Sequence, residues 1–81
     1  MPTKQEIEQA WEKAKKIRGK NPESWRRDDF GNIIRHGSYG TEGDYGWEID
    51  HITPKSKGGS NQPKNLRALY WKKNREKSDK G

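Results

Sequence analysis

The sequence predicts a small α+β domain in which an N-terminal helix packs on a strand–loop–strand–helix unit. Three observations lead there. A chain of 81 residues has room for one domain. Residues 3–19 repeat apolar side chains at three- and four-residue steps, the period of an amphipathic helix. Residues 45–81 pass from an alternating stretch, through a loop of Gly, Pro, Ser and Asn, to a second alternating stretch and a basic helical run. The chain therefore divides into an N-terminal helical segment (1–20), a turn-rich extended segment (21–44) and the strand–loop–strand–helix unit (45–81).

In the first segment Ile7, Ala10, Trp11, Ala14 and Ile17 share one stripe, with Lys13, Lys16 and Lys20 mostly off it. Thr3 and Glu6 have the spacing of a capping box, and Gly19 is the expected stop. The helix is expected to pack on the rest of the chain. Between Asn21 and Asp44 the residues favour turns and short extended pieces, and Trp25, Phe30, Ile33 and Ile34 are the expected core anchors. Asp29-Phe30-Gly31-Asn32 reads as a turn leading into extended Ile33–His36. A second Gly-rich turn, Gly37 to Gly46, returns the chain to a strand at Trp47–Ile52. Residues 53–64 form a loop, Leu66–Tyr70 alternates as a second strand, and Trp71–Lys80 is a basic helix.

Only 25% of the residues are hydrophobic and 37% are charged, close to the composition of disordered chains. Four tryptophans and three tyrosines act against disorder, since one aromatic ring can bury about 150–250 Å². There is no cysteine, which excludes a disulfide framework and any thiolate zinc knuckle. No apolar run approaches the roughly 20 residues that span a bilayer, and the N-terminus carries no apolar signal core, so a cytoplasmic location without membrane attachment is the default expectation.

The net charge of +6 is uneven: +3 over residues 1–20, −2 over 21–63 and +5 over 64–81. Basic ends favour a polyanionic partner, because binding phosphates releases counterions. The acidic middle is where metal ligands would be expected in a nuclease.

Within it, adjacent Asp50 and His51 carry complementary chemistry. Aspartate offers a hard oxygen ligand suited to Mg²⁺, and histidine a base that is substantially neutral near pH 7. Phosphodiester hydrolysis uses both, a base to activate water and a cation to offset charge on the phosphate and leaving oxygen. On a regular strand the two side chains point to opposite faces, so acting together requires a bend, for which Pro54 and the loop are placed. Asn74 on the final helix could add a second oxygen ligand without charge.

The segment YGWEIDHITPKSKGGSNQPKNLRALYWKKNREKSDK, Tyr45 to Lys80, resembles the HNH family of ββα-metal (His-Me finger) nucleases. The matching features are Asp50-His51 followed by Ile52 and Pro54, then Gly58-Gly59, Asn65-Leu66, Leu69, and Asn74 with Lys77. Its close, NREKSDK, also resembles the end of the HNH domain in RNA-guided CRISPR nucleases, where Asn likewise fills the last motif position.

The resemblance implies an α+β fold built on an HNH finger and hydrolysis of DNA. It makes His51 the general base, Asp50 and Asn74 the ligands of one divalent cation, and Asn65 the residue that ties the loop and so orients His51. The expected products are a 5′-phosphate and a 3′-hydroxyl. Asn74, where many relatives have His, favours Mg²⁺ or Mn²⁺ over nitrogen-preferring metals. The CxxC pairs that hold structural zinc in many relatives are missing, so no structural zinc is expected, and Trp25, Trp47 and the N-terminal helix would brace the domain by packing. Glu48 and Asp44 are candidates for supporting contacts, and His36 for a packing or surface role.

Lys55, Lys57, Lys64, Arg67, Lys72, Lys73, Arg75 and Lys77 surround the motif and are the natural phosphate contacts. Such contacts carry no sequence information, so low specificity and a steep salt dependence are expected. DNA is the expected partner, with RNA also compatible, and a monomer is the default. The alternative is a non-catalytic nucleic-acid-binding module that keeps the fold. The joint presence of base, ligand and second ligand favours the enzyme.

Overall fold

Helix α1 (Lys4–Lys13) starts where the capping box predicts in the computed structural model, which describes residues 2–79. The Glu6 N–H donates to Thr3 Oγ1 (3.1 Å) and the Thr3 N–H to Glu6 Oε1 (2.9 Å), so two otherwise unpaired donors are satisfied. The helix ends earlier than its periodicity suggests, at Lys13 rather than near Gly19, and Ala14 is already extended. Arg26, only 4% exposed, caps this end. Its guanidinium donates to the carbonyls of Trp11 (3.2 Å), Glu12 (2.9 Å) and Ala14 (3.3 Å), satisfying helix-end acceptors from a distant strand. Ala14 still reaches the core, from extended backbone.

Beyond it, β1 (Lys15–Lys16), β2 (Trp25–Arg27) and β3 (Ile33–Arg35) form a small antiparallel sheet in sequence order. A second antiparallel sheet pairs β4 (Trp47–His51) with β5 (Leu66–Tyr70), in register from Trp47 opposite Tyr70 to His51 opposite Leu66. Helix α2 (Trp71–Asp79) follows β5 without a linker, and α1 packs on β5.

The hairpin separates two chemistries by strand parity. Trp47, Ile49, Ala68 and Tyr70 face α1 and join Ala10, Trp11, Ala14 and Ile34 in the core. Trp11 and Trp47 lie at its centre, 5.3 Å between ring centroids. Both indole N–H groups are satisfied, by the carbonyls of Pro22 (3.2 Å) and Arg35 (2.9 Å). Two such rings explain how so polar a chain folds. At about 25 cal/mol per Å², each contributes about 4–6 kcal/mol before entropy costs. Three expected anchors lie elsewhere, Ile33 being only half-buried and outside the core cluster. Trp25 is half-buried, edge-on to Tyr45, and Phe30 is 53% exposed.

Candidate active site

The other face of the hairpin carries Glu48, Asp50 and Arg67 beside buried Leu69 and is matched to α2. Glu48 and Asp50, two residues apart on β4, stand opposite Asn74 and Lys77, three apart on α2. These are the spacings that put neighbours on one face of a strand and of a helix. Asn74 Nδ2 donates to Glu48 Oε1 (2.8 Å), and Lys77 Nζ to both Asp50 oxygens (2.9 Å each) and to the His51 carbonyl (3.0 Å). Arg67 Nε adds a bond to Asp50 Oδ2 (2.8 Å). The Asp50 carboxylate, in a residue 5% exposed, is thus compensated by two cations, as a buried charge requires.

Glu48 holds the assembly at its other end. Burial disfavours its charge, but hydrogen bonds from Arg75 (2.7 Å) and Asn74, with the Arg75 charge, outweigh burial and hold its pKa below the usual glutamate value. Its contacts fix the Asn74 amide nitrogen and turn the amide oxygen away from Glu48.

The loop between β4 and β5 is closed by Asn65, 9% exposed. Its Oδ1 accepts from the Thr53 N–H (2.8 Å), and its Nδ2 donates to the carbonyls of Thr53 (3.1 Å) and Ser60 (2.8 Å). Gly59 is required for this closure, since a Cβ there would stand 1.7 Å from the Thr53 carbonyl oxygen. The fold of the loop brings Asn61 to His51, with Nε2 2.8 Å from Asn61 Oδ1. An amide oxygen accepts, so this contact is a hydrogen bond in the tautomer that carries the hydrogen on Nε2, which leaves the lone pair on Nδ1.

Asp50, His51, Asn74, Lys55, Lys57 and Lys77 line one open cleft of about 430 Å³. No bend separates Asp50 from His51, because pairing continues regularly through His51 opposite Leu66. His51 instead sits at the end of the strand, where the residue borders this cleft and a smaller one lined by Glu6, Asn61 and Leu66. Arg67 and Lys73 lie beside the cleft around Phe30. Arg75 is paired with Glu48 and Glu42, Lys64 borders the loop, and Lys72 is exposed on α2. His36 lies away from the cleft, 2.7 Å from Glu8 and edge-on to Trp11.

Asn61 and Asp28 were not legible as contributors. Asn61 is one polar residue in a polar loop. Asp28 sits in an Asp-Asp-Phe-Gly-Asn stretch whose turn-forming pattern was the available signal.

Among the described residues no three His, Cys, Asp or Glu side chains gather as a metal cluster. The donors on offer are the Asp50 carboxylate and the Asn74 amide oxygen. Two oxygen donors of this kind suit a hard cation that keeps most of its water.

A family model described as HNH endonuclease matches residues 35–80. No curated protein and no solved structure matches the chain significantly. The family match covers more than half of the sequence and includes every residue lining the main cleft, so the chain belongs to the HNH endonuclease family.

Proposed function

We propose that the protein is a metal-dependent endonuclease that hydrolyses DNA phosphodiester bonds with low sequence specificity. The observation that carries this reading is the convergence of Asp50, His51 and Asn74 on one cleft rimmed by Lys55, Lys57 and Lys77. Membership of the HNH family supports nuclease activity in general, and such nucleases generally use a divalent metal.

His51 Nδ1 takes a proton from the attacking water, while Asn61 holds the ring through Nε2. Asp50 and Asn74 would hold one Mg²⁺ or Mn²⁺, which when bound offsets negative charge on the scissile phosphate and the leaving 3′-oxygen. The lysines at the rim orient the phosphate backbone. Lys77, bonded to Asp50, sets its positive charge at the edge of the same cleft. The water oxygen bonds to phosphorus as the P–O3′ bond breaks, and the leaving 3′-oxygen takes a proton from solvent, so the products are a 5′-phosphate and a 3′-hydroxyl.

One observation favours the alternative of a non-catalytic binding module: Arg67 and Lys77 already bond both Asp50 oxygens. A plasmid-nicking assay separates the two readings. Supercoiled DNA incubated with the protein and Mg²⁺ or Mn²⁺ is expected to become open-circular, and EDTA to prevent it. DNA retarded on a gel but uncut with every metal would favour the binding module.

The ligand role of Asn74 has its own test. Asn74→Ala is expected to raise the metal concentration giving half-maximal cleavage by about tenfold or more. An unchanged metal titration would leave Asn74 as a support for Glu48 alone.

A further inference from the structure

We infer that Phe30 is a stacking platform for an unpaired nucleobase of the substrate strand, set beside the reaction cleft. The identification of the strand as substrate rests on the nuclease reading; the platform itself rests on how Phe30 is held. At 53% exposure it is the most exposed large hydrophobic residue described, yet its turn is among the best-anchored parts of the molecule. Asp28, 1% exposed, accepts at Oδ1 from the Phe30 (3.0 Å) and Asn32 (2.8 Å) N–H groups. Its Oδ2 accepts from Asn32 Nδ2 (3.1 Å) and from the N–H of Tyr70 (3.0 Å), at the end of β5. A buried carboxylate therefore ties the backbone that carries Phe30 to the hairpin that carries Asp50.

The surroundings of the ring indicate the ligand. The Arg67 guanidinium lies 5.2 Å and Lys73 Nζ 4.6 Å from its centroid. With Leu69, Glu76 and Lys77 they enclose a shallow cleft of about 290 Å³. Lys77 borders both this cleft and the one holding His51, and Arg67 bonds Asp50 as well as flanking Phe30, so the two clefts adjoin. An aromatic face among cations beside a phosphate-cleaving cleft is suited to a nucleic acid strand, with the base stacked and the flanking phosphates neutralised. Arg67 stays in place, tied to Asp50 and Asp29, while Lys73 swings from the ring to a phosphate. Bases inside a duplex are already stacked on each other. The platform therefore selects DNA with an unpaired base near the scissile phosphate: single-stranded, gapped, flapped or branched.

The test uses the full chain in EDTA, so that binding is read without cleavage. The probe is a single-stranded DNA of about 12 nucleotides carrying 2-aminopurine at successive positions, compared with its duplex. The unaltered protein is expected to prefer the single strand and to change 2-aminopurine emission at one or two adjacent positions. Phe30→Leu, which keeps an apolar cover over the Arg67 and Lys73 stems but has no π-face, is expected to lose that signal and about tenfold of the preference, with an unchanged thermal midpoint. Phe30→Tyr is expected to retain both. Equal binding of the two DNA forms by the unaltered protein, or a Phe30→Leu variant that binds like it, would overturn the platform. Plasmid nicking by the unaltered protein is scored separately, so a failed platform and a failed nuclease give different patterns.

Discussion

Replacing His51 by alanine is expected to leave DNA binding intact and to slow cleavage at least about 100-fold. The expectation separates two roles that lie close together in the cleft. The positive charge lies on Lys55, Lys57 and Lys77, and none of these depends on the imidazole for its position, since Lys77 is held by Asp50 and by the His51 main-chain carbonyl. Removing the ring therefore removes the group offered as proton acceptor and leaves the electrostatic surface in place. The regular pairing of His51 with Leu66 keeps the strand intact without the side chain. Gel retardation and single-turnover cleavage, measured on the same preparation, check both halves of the expectation. Asn61→Ala belongs in the same experiment. It frees Nε2 without deleting the base, so kcat should fall less than in His51→Ala while KM holds. Full cleavage by His51→Ala would move the base elsewhere and end the assignment.

The parts of this molecule legible in the sequence were those whose signals are local or carried by the family motif. Strands β4 and β5, helix α2 and the α1 cap fall where alternation, periodicity and the Thr3–Glu6 spacing put them. The placing of Asp50, His51 and Asn74 along one cleft was readable only through the motif, because 22 residues lie between His51 and Asn74 and no periodicity links them. What stayed hidden depends on partners distant in sequence. The end of α1 is capped by the Arg26 guanidinium and followed at once by pairing of Lys15 and Lys16 with β2, and a helical stripe continuing to Ile17 cannot reveal either. Strands β1, β2 and β3 are two or three residues long, too short for alternation to register. Phe30 reads as a core residue on hydrophobicity alone, but its turn is anchored through Asp28 to Tyr70 and its side chain is left exposed.

Asp28 is accordingly where a single substitution should cost the fold most among its polar residues. Asp28→Ala is expected to destabilise the protein by about 3–5 kcal/mol, since each of three main-chain donors left without an acceptor costs about 1–3 kcal/mol. The side chain accepts four hydrogen bonds, three from main-chain N–H groups of Phe30, Asn32 and Tyr70. Alanine leaves those donors without an acceptor in a place only 1% exposed, and the Tyr70 donor lies where β5 passes into α2. A domain of 81 residues has a total stability of only about 4–12 kcal/mol, so the loss would be a large share of it. Asp28→Asn keeps the shape but exchanges one acceptor oxygen for an NH₂ group, which must then face either the Tyr70 N–H and the Asn32 amide or the Phe30 and Asn32 N–H groups. It should cost about 1–3 kcal/mol. Urea unfolding checks both magnitudes, and hydrogen exchange at the Tyr70 amide checks the cause. That amide should lose protection in both variants by more than amides of the Trp11–Trp47 core. A loss below about 1 kcal/mol in Asp28→Ala would mean that water reaches the freed donors and that the turn is not fixed by this carboxylate. The preorganisation on which the Phe30 platform depends would then fail with it.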